Sequence, residues 1–382
     1  MNRSTLFVFT GGRRVRLSKI RANIASPRDF LYGYDYFLSR PGRVDYLELD
    51  NLAPPQWRPL YWLLRRESLK IGKSLGIGSR GHYFVGTLRY LNQYDCIVAT
   101  TDSIALGLAH YKIKGQLKGR IIYLNMGLAA ALDSAAIEST RVDERVIVDA
   151  KRKIKVCDKV ISLGRGEYDF FQKIFPDSKE QFLYLPFGVD SDFWTPGTED
   201  YWSRKSRYIL FVGNDKQRDF DLLLQVADRC SDQRFIVVSN KLRVGELPKN
   251  VQLIQGDYKK QTLTDPELRE FYRGAKVVML PLRDTLQPSG QSVALQAMAC
   301  GVPVILSKTR GLWDPAVMRD QQNCILMTVG AVNEATSIVR QLDDNVLALK
   351  EIGKSGRKTV VDNYSAGAFA KKLAAVIEQR HL

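Results

Sequence analysis

The residues 286–305, LQPSGQSVALQAMACGVPVI, hold the pattern with the clearest chemistry in the chain. Ser289, Gly290, Gln291 and Ser292 are small or uncharged and stand directly ahead of an apolar run. Pro288 precedes Ser289, a residue type suited to capping a helix, and Val293, Ala294, Ala297 and Met298 form one apolar face. Gly301 fits the position just past a helix end, and Pro303 blocks continuation. A short helix is therefore predicted, followed by a buried strand at Val304-Ile305-Leu306. The first N–H groups of such a helix lack partners, and its dipole favours an anion there. A diphosphate could sit on Ser289, Gly290, Gln291 and Ser292, because nothing bulky shields the backbone. The same Ser-Gly chemistry also suits an unliganded turn between strand and helix.

The elements that would position this segment alternate along the chain. Strand-like apolar runs fall at 5–10, 44–49, 94–100, 120–125, 158–163 and 181–186, with helical patterns near 56–75, 101–113, 137–156 and 165–174. The pattern breaks around 191–206, which has Trp194, Pro196, Gly197 and no periodicity. It then restarts, with strands at 208–213, 234–239, 251–255, 276–281, 302–307 and 323–328 and helices near 219–230, 265–273, 289–300, 331–348 and 365–380. The expected fold class is α/β: two tandem Rossmann-like, doubly wound domains. Residues 1–190 are the first domain, 191–206 a linker, 207–364 the second domain, and 365–382 a terminal helix expected to return to the first. Ligands of such sheets bind outside the carboxyl ends of the strands, and a cleft between two such domains is the expected site.

Composition supports this. At 382 residues, 45% hydrophobic and 26% charged, the chain is neither disordered nor a disulfide scaffold. Its five cysteines, Cys96, Cys157, Cys230, Cys300 and Cys324, include no C-x-x-C pair and read as reduced and buried. The first apolar run is too short for a signal-peptide core, and no stretch approaches the ~20 apolar residues of a membrane span. The net charge of +16 is uneven: residues 1–120 hold 20 basic and 8 acidic side chains, and residues 121–382 hold 37 and 33. A basic field at one end implies an anionic surface facing it.

The run SVALQAMACGVPVI resembles the nucleotide-binding segment of retaining GT-B glycosyltransferases of the large family 4 class. DKVISLGRGEYDFFQKIF followed by FLYLPFGVDSDFWTP (182–196) is similar to the end of their N-terminal domain; RYILFVGNDKQRDFDLLLQVA (207–227) and FYRGAKVVMLPL (271–282) are similar to strands of their C-terminal domain. Residues 155–330 carry the resemblance; the first 150 match only in pattern. Two signature glutamates of that family, eight positions apart, fall on Pro288 and Gln296, which marks a divergent Ser-Gly-Gln-Ser-Val branch. Gln296 keeps an amide able to bond ribose hydroxyls.

The resemblance implies sugar transfer from a nucleotide-diphosphate sugar, with retention, and no bound metal or other cofactor. Negative charge grows on the departing diphosphate, and fixed cations there lower the barrier. The family places one Arg and one Lys in the loop after the first strand of the second domain. Here that loop is Gly213-Asn214-Asp215-Lys216-Gln217-Arg218-Asp219, so Arg218 and Lys216 are the expected catalytic cations, and Gly213 and Asn214 join the donor-binding residues. Asp219 reads as a helix cap, and Arg283 is a further, weaker phosphate candidate. In the first domain the resemblance points to Gly11, Gly12 and Arg13 after the first strand, facing donor phosphate and acceptor. Relatives carry an important histidine in this domain. None of His82, His110 and His381 fits its place, which Asn125 occupies instead.

Around residues 54–75, Leu64, Ile71 and Leu75 share an inward face with Leu60 and Tyr61, while the opposite side mixes cations with Trp62 and Leu69, seven apart on one stripe. Trp62, Arg65, Arg66, Leu69 and Lys73 are therefore the expected membrane contact, on an anionic cytoplasmic leaflet that presents a glycolipid or lipid-linked saccharide acceptor. Localisation would be cytoplasmic and peripheral to the inner face. A nucleic-acid partner is not expected, because no recognition motif accompanies the basic end. A soluble or anionic polymer acceptor, or a non-catalytic nucleotide-sugar-binding module, are the alternatives.

Overall fold

A computed structural model describes residues 4–52, 58–71, 73–138, 144–197, 207–256 and 262–379. The chain forms two compact units. The first is Met1–Ser18, Phe30–Pro186 and Phe369–Leu382; the second is Lys19–Asp29 and Phe187–Ala368.

The first unit holds six strands: β1 (Ser4–Phe9), β2 (Arg43–Glu48), β3 (Cys96–Ala99), β4 (Arg120–Asn125), β5 (Lys159–Ser162) and β6 (Phe182–Tyr184). They lie in the order β2-β1-β3-β4-β5-β6, every pair parallel. The second unit repeats the plan with β7 (Tyr208–Val212), β8 (Phe235–Val238), β9 (Val251–Ile254), β10 (Ala275–Leu280), β11 (Val304–Ser307) and β12 (Ile325–Met327), in the order β12-β11-β10-β7-β8-β9. Both are doubly wound sheets; nine of the twelve strands fall within the predicted apolar runs, and β1, β2 and β10 begin one residue earlier. Parallel strands covered on both faces need near-continuous apolar sequence, which is why these runs were legible. In the second unit Ile209, Phe211, Phe235, Val237, Val277, Met279 and Ile305 pack with Leu222, Leu223 and Val226 of the Phe220–Arg229 helix into one buried core.

In each sheet the strand order reverses beside the first strand of its unit, between β1 and β3 and between β7 and β10. Loops leaving neighbouring strands at such a switch point diverge and leave room for a ligand.

Several boundaries differ from expectation. The first domain is not a continuous 1–190, because Lys19–Asp29 belongs to the second unit. Asp29 is buried and accepts from Trp194 Nε1 at 2.7 Å and from the Asp190 amide at 2.6 Å, and these bonds hold the segment there. Of the expected linker, 198–206 lies outside the described residues, while Phe193 and Trp194 are core residues of the second unit. Residues from Phe369 onward cluster with the first unit, where Arg120 Nη1 donates to the Ile377 carbonyl at 2.9 Å. The predicted helix over 331–348 is two helices, Val332–Arg340 and Val346–Asn363. Glycines hid the second one: Gly353 is required because a Cβ there would lie 2.4 Å from the Gly301 carbonyl oxygen. The Arg13–Arg21 helix was also missed, being too basic for an apolar stripe. The predicted helix near 137–156 is Glu144–Lys155, and the helix Leu128–Glu138 ahead of it was not predicted. All five cysteines are buried, and none is in a disulfide.

Candidate functional site

The loops leaving β7 and β10 are tied together. Asp219 N donates to the Pro281 carbonyl at 2.9 Å, and Arg283 N to the Gln217 carbonyl at 2.9 Å. Asp219 also caps the next helix, its carboxylate accepting from Leu222 N at 3.0 Å. This stitching turns the Arg218 side chain inward, where it is only 4% exposed. Its guanidinium lies against two glycines. A Cβ at Gly213 would sit 2.1 Å from Nε, and one at Gly290 would sit 2.8 Å from Nη1. Alanine at either position would displace the cation.

Arg218 is a buried cation with unused donors. Nε is 3.3 Å from Asp215 Oδ2 but misaligned for a hydrogen bond, and Nη1 has no hydrogen-bond partner among the described residues. Burial pulls the Arg218 pKa below the ordinary arginine value, and Asp215 opposes that shift. Leaving such a group unpaired is costly, so the arrangement fits an anion that arrives from outside.

The helix runs Gln291–Ala299, and its N-cap is Gly290, with φ +79°, rather than the expected Ser289. Glycine brings no side chain to the first turn, so the anion-attracting end of the helix stays uncapped. The Ser289 hydroxyl donates instead to Asp215 Oδ1 at 2.8 Å. Ser289, Gly290 and Gln291 are buried and Ser292 half-buried. Backbone N–H groups and the Arg218 guanidinium therefore share one small region at the switch point. Lys216 is exposed on the same loop. Arg283 points elsewhere, pairing with Asp221 at 3.0 Å.

Two expected donor contacts are structural. Asn214 spends its amide on neighbouring loops: Nδ2 donates to the Gly256 carbonyl at 2.7 Å, and Oδ1 accepts from Ser239 Oγ at 2.9 Å and Asn240 N at 2.7 Å. Gln296 is 5% exposed. Its Oε1 accepts from Tyr272 Oη at 3.1 Å, and its Nε2 donates to Asp29 Oδ2 at 2.7 Å. A side chain bonded at both ends is not held out toward ribose. Asp29 and Tyr272 are partners that sequence reasoning missed, and nothing in a stretch 267 residues away marks Asp29 as the acceptor.

In the first unit, Gly11, Gly12 and Arg13 follow β1 as predicted, but the anion position there is filled from within. The Glu48 carboxylate at the end of β2 accepts from Arg13 N at 2.7 Å and Arg14 N at 3.2 Å, capping the Arg13–Arg21 helix. The Arg13 guanidinium folds back onto the Gly11 carbonyl and over the Phe30 ring at 5.9 Å. The expected diphosphate contact of Arg13 is thus replaced by an internal carboxylate. Asn125 is fully buried, donating to Glu167 Oε1 at 2.8 Å and accepting from Leu128 N at 3.0 Å. It shapes the end of β4 rather than presenting a polar group where relatives have histidine. Burial, with Asp102 nearby, pushes the Glu167 carboxyl well above the usual range.

The profile of the family described as Glycosyl transferases group 1 matches residues 206–345. Those residues are a group 1 glycosyl transferase domain. The chain is similar to MMP alpha-(1->4)-mannosyltransferase of Mycolicibacterium hassiacum, 30% identical over 237 residues, covering 60% of this chain and 56% of the relative. It is also similar to D-inositol 3-phosphate glycosyltransferase of Mycobacteroides abscessus, 24% identical over 258 residues, covering 61% and 57%. The matched region thus spans little more than half of each relative. Among solved structures, Anabaena Alr3699/HepE in complex with UDP and glucose superposes with a TM-score of 0.66 at 13% identity, covering 99% of this chain and 100% of that one. The fold is that of the GT-B glycosyltransferases.

Within the group 1 domain the departures from the family signature have a local physical reason. With Asp29 buried against position 296, a glutamate there would set two carboxylates face to face, and glutamine converts the repulsion into a hydrogen bond. Pro288, at the other signature position, offers only its carbonyl, which accepts from Gln291 N at 3.3 Å.

The Arg58–Ile71 helix of the first unit presents Trp62, 62% exposed, and Leu69, 51% exposed, with Leu63 beside them. Arg65, Arg66 and Lys73 are exposed, and the Arg65 guanidinium lies over the Trp62 ring at 5.3 Å. The side chains of Arg58, Leu60 and Tyr61 lie outside the described residues. No helix among the described residues is long and apolar enough to cross a membrane.

Proposed function

We propose that the protein is a retaining glycosyltransferase that moves a sugar from a nucleotide-diphosphate sugar to a membrane-associated glycolipid or lipid-linked saccharide. The observation that carries this reading is Arg218, buried at the switch point with unused donors beside the uncapped Gln291–Ala299 helix. The diphosphate rests on the N–H groups of Gly290 and of the helix beyond Gln291, while Ser289 and Gln291, whose own N–H groups donate to the Gln287 and Pro288 carbonyls at 2.7 and 3.3 Å, shape the cradle. Arg218 stabilises the charge that develops as the sugar leaves, and Lys216 adds a second cation from the exposed side, so these residues rather than a metal meet the charge. A UDP-glucose complex of the Anabaena neighbour supports a nucleotide sugar as the donor class.

The acceptor side rests on the Arg58–Ile71 helix. Exposed Trp62, Leu63 and Leu69 among cations suit the headgroup boundary of an anionic bilayer, where aromatic and aliphatic side chains enter and basic groups stay at the surface. A cytoplasmic, peripheral location on the inner leaflet follows. Wild-type protein is expected to sediment with anionic vesicles, and Trp62→Ser with Arg65→Glu and Arg66→Glu is expected to lose that binding by at least about a hundredfold. Retention of vesicle binding by the triple variant would remove this helix from the membrane contact, and a wild type that does not bind vesicles would move the acceptor to a soluble molecule.

A further inference from the structure

A cavity lies in the first unit, among helices that pack on its sheet. It measures about 620 Å³, a size that suits a small-molecule ligand. Three helices line it: Arg58–Ile71, Asp102–Ile113 and Glu144–Lys155. The last two lead into β4 and β5, so the ends that line the cavity lie at the amino edge of the sheet. Gly11, Asp102 and Asn125 mark the opposite, carboxyl edge.

Its chemistry is unlike that of a plain packing defect. Lys70, Lys114, Arg152 and Lys153 surround it, against Glu67 and Asp149. Lys70 pairs with Glu67 at 2.6 Å, and Lys153 with Asp149. Lys114 and Arg152 are exposed at its rim, and neither has an ion pair among the described residues. Leu64, Ile71 and Ile113 supply apolar wall. His110, also in the lining, has its pKa lowered by burial and then by Lys114, Lys153 and Arg152, which registers the positive field inside.

We infer that this cavity binds the phosphate headgroup of an anionic lipid. Charge complementarity selects the anion, and the apolar walls accept the glycerol and the first acyl carbons. The same helix that lines the cavity with Leu64 and Ile71 exposes Trp62, Leu63 and Leu69 on its outer arc, so a lipid in the cavity and an interfacial helix engage one bilayer. The inference rests on the membrane reading above and adds a specific headgroup site to it.

The test compares wild type with Lys114→Gln plus Arg152→Gln, both at exposed positions where the fold tolerates change. The control is Arg89→Gln plus Lys118→Gln, which removes equal charge elsewhere in the unit. Binding is measured on phosphatidylcholine vesicles with and without phosphatidylglycerol. The His110 imidazole resonance is followed during titration with short-chain phosphatidylglycerol and with glycerol 3-phosphate. The expected result is a loss of roughly thirtyfold in phosphatidylglycerol-vesicle affinity for the cavity variant, about fivefold per cation, with the control near wild type. Short-chain phosphatidylglycerol should shift His110 in wild type and not in the cavity variant. Equal losses in cavity and control variants would reduce the effect to bulk charge and overturn the site. Saturation by glycerol 3-phosphate without vesicle binding would make the ligand a soluble phosphate and overturn the lipid assignment. If Trp62→Ser loses vesicle binding while the cavity variant keeps it, the interfacial helix stands and the headgroup site falls.

Discussion

Arg218→Met is expected to abolish nucleotide-diphosphate binding while leaving the protein at least as stable as wild type. The two effects have opposite signs because Arg218 is buried at a cost that the protein alone does not recover. Its Nε and Nη1 have no hydrogen-bond partner among the described residues, and its Asp215 contact is a loose 3.3 Å. Removing it does not orphan Asp215, whose Oδ1 still accepts from Ser289 Oγ at 2.8 Å and Gln217 N at 3.0 Å. Replacing a buried ion by an apolar side chain of similar length is commonly neutral or stabilising by about 1–4 kcal/mol. The ligand loses two charge-assisted hydrogen bonds, about 1.5–3 kcal/mol each, or a hundredfold and more in affinity. Calorimetry and thermal unfolding on the same sample read both. A variant that loses binding only because it unfolds would show a clearly lower melting temperature, and that outcome contradicts the account.

Gln296→Glu is expected to be the most destabilising conservative change in the second unit. It restores the family's usual residue type, yet it removes the Nε2 donor and places a carboxylate against Asp29, itself buried and already accepting from Trp194 Nε1. Two carboxylates in one buried site cannot both ionise readily, so the introduced group's folded pKa rises above its unfolded value of about 4.3. Such a group costs no stability below the unfolded pKa, and the deficit grows as pH climbs toward the folded pKa. A rise of two to three units corresponds to about 3–4 kcal/mol at pH 7. Urea unfolding should show that deficit at neutral pH and a smaller one near pH 4.5. Adding Asp29→Asn should recover most of it. An unchanged neutral-pH midpoint would mean that Asp29 does not govern position 296.

These two residues also mark how far the sequence could be read. Apolar runs such as 208–213 and 302–307 located every strand, because a covered parallel strand has to be apolar along its length. Local spacing likewise placed Arg218 and the Ser289–Ser292 turn at the loops that meet. Burial of Arg218 was not legible, since it depends on Gly213 and Gly290 leaving room for the guanidinium. The roles of Asn214 and Gln296 failed for a related reason. Each is a polar residue at the right position whose hydrogen bonds were already taken, by Gly256 and Ser239 in one case and by Asp29 and Tyr272 in the other. Glu48, which fills the anion position ahead of Arg13, lies 35 residues away on a neighbouring strand, and only the β1–β2 pairing brings it there.

The central claim is a diphosphate site at the β7–β10 switch point. Its most direct test is a thermal-shift panel of nucleoside diphosphates and their sugars, each at about a hundred times its dissociation constant, where a native-state ligand adds about 2.7 kcal/mol of stability. The account predicts a selective shift with one base for both the diphosphate and its sugar, none with the corresponding nucleoside, and none with any of them in Arg218→Met. A nucleoside that stabilises as much as its diphosphate, or a shift that survives loss of Arg218, would contradict it.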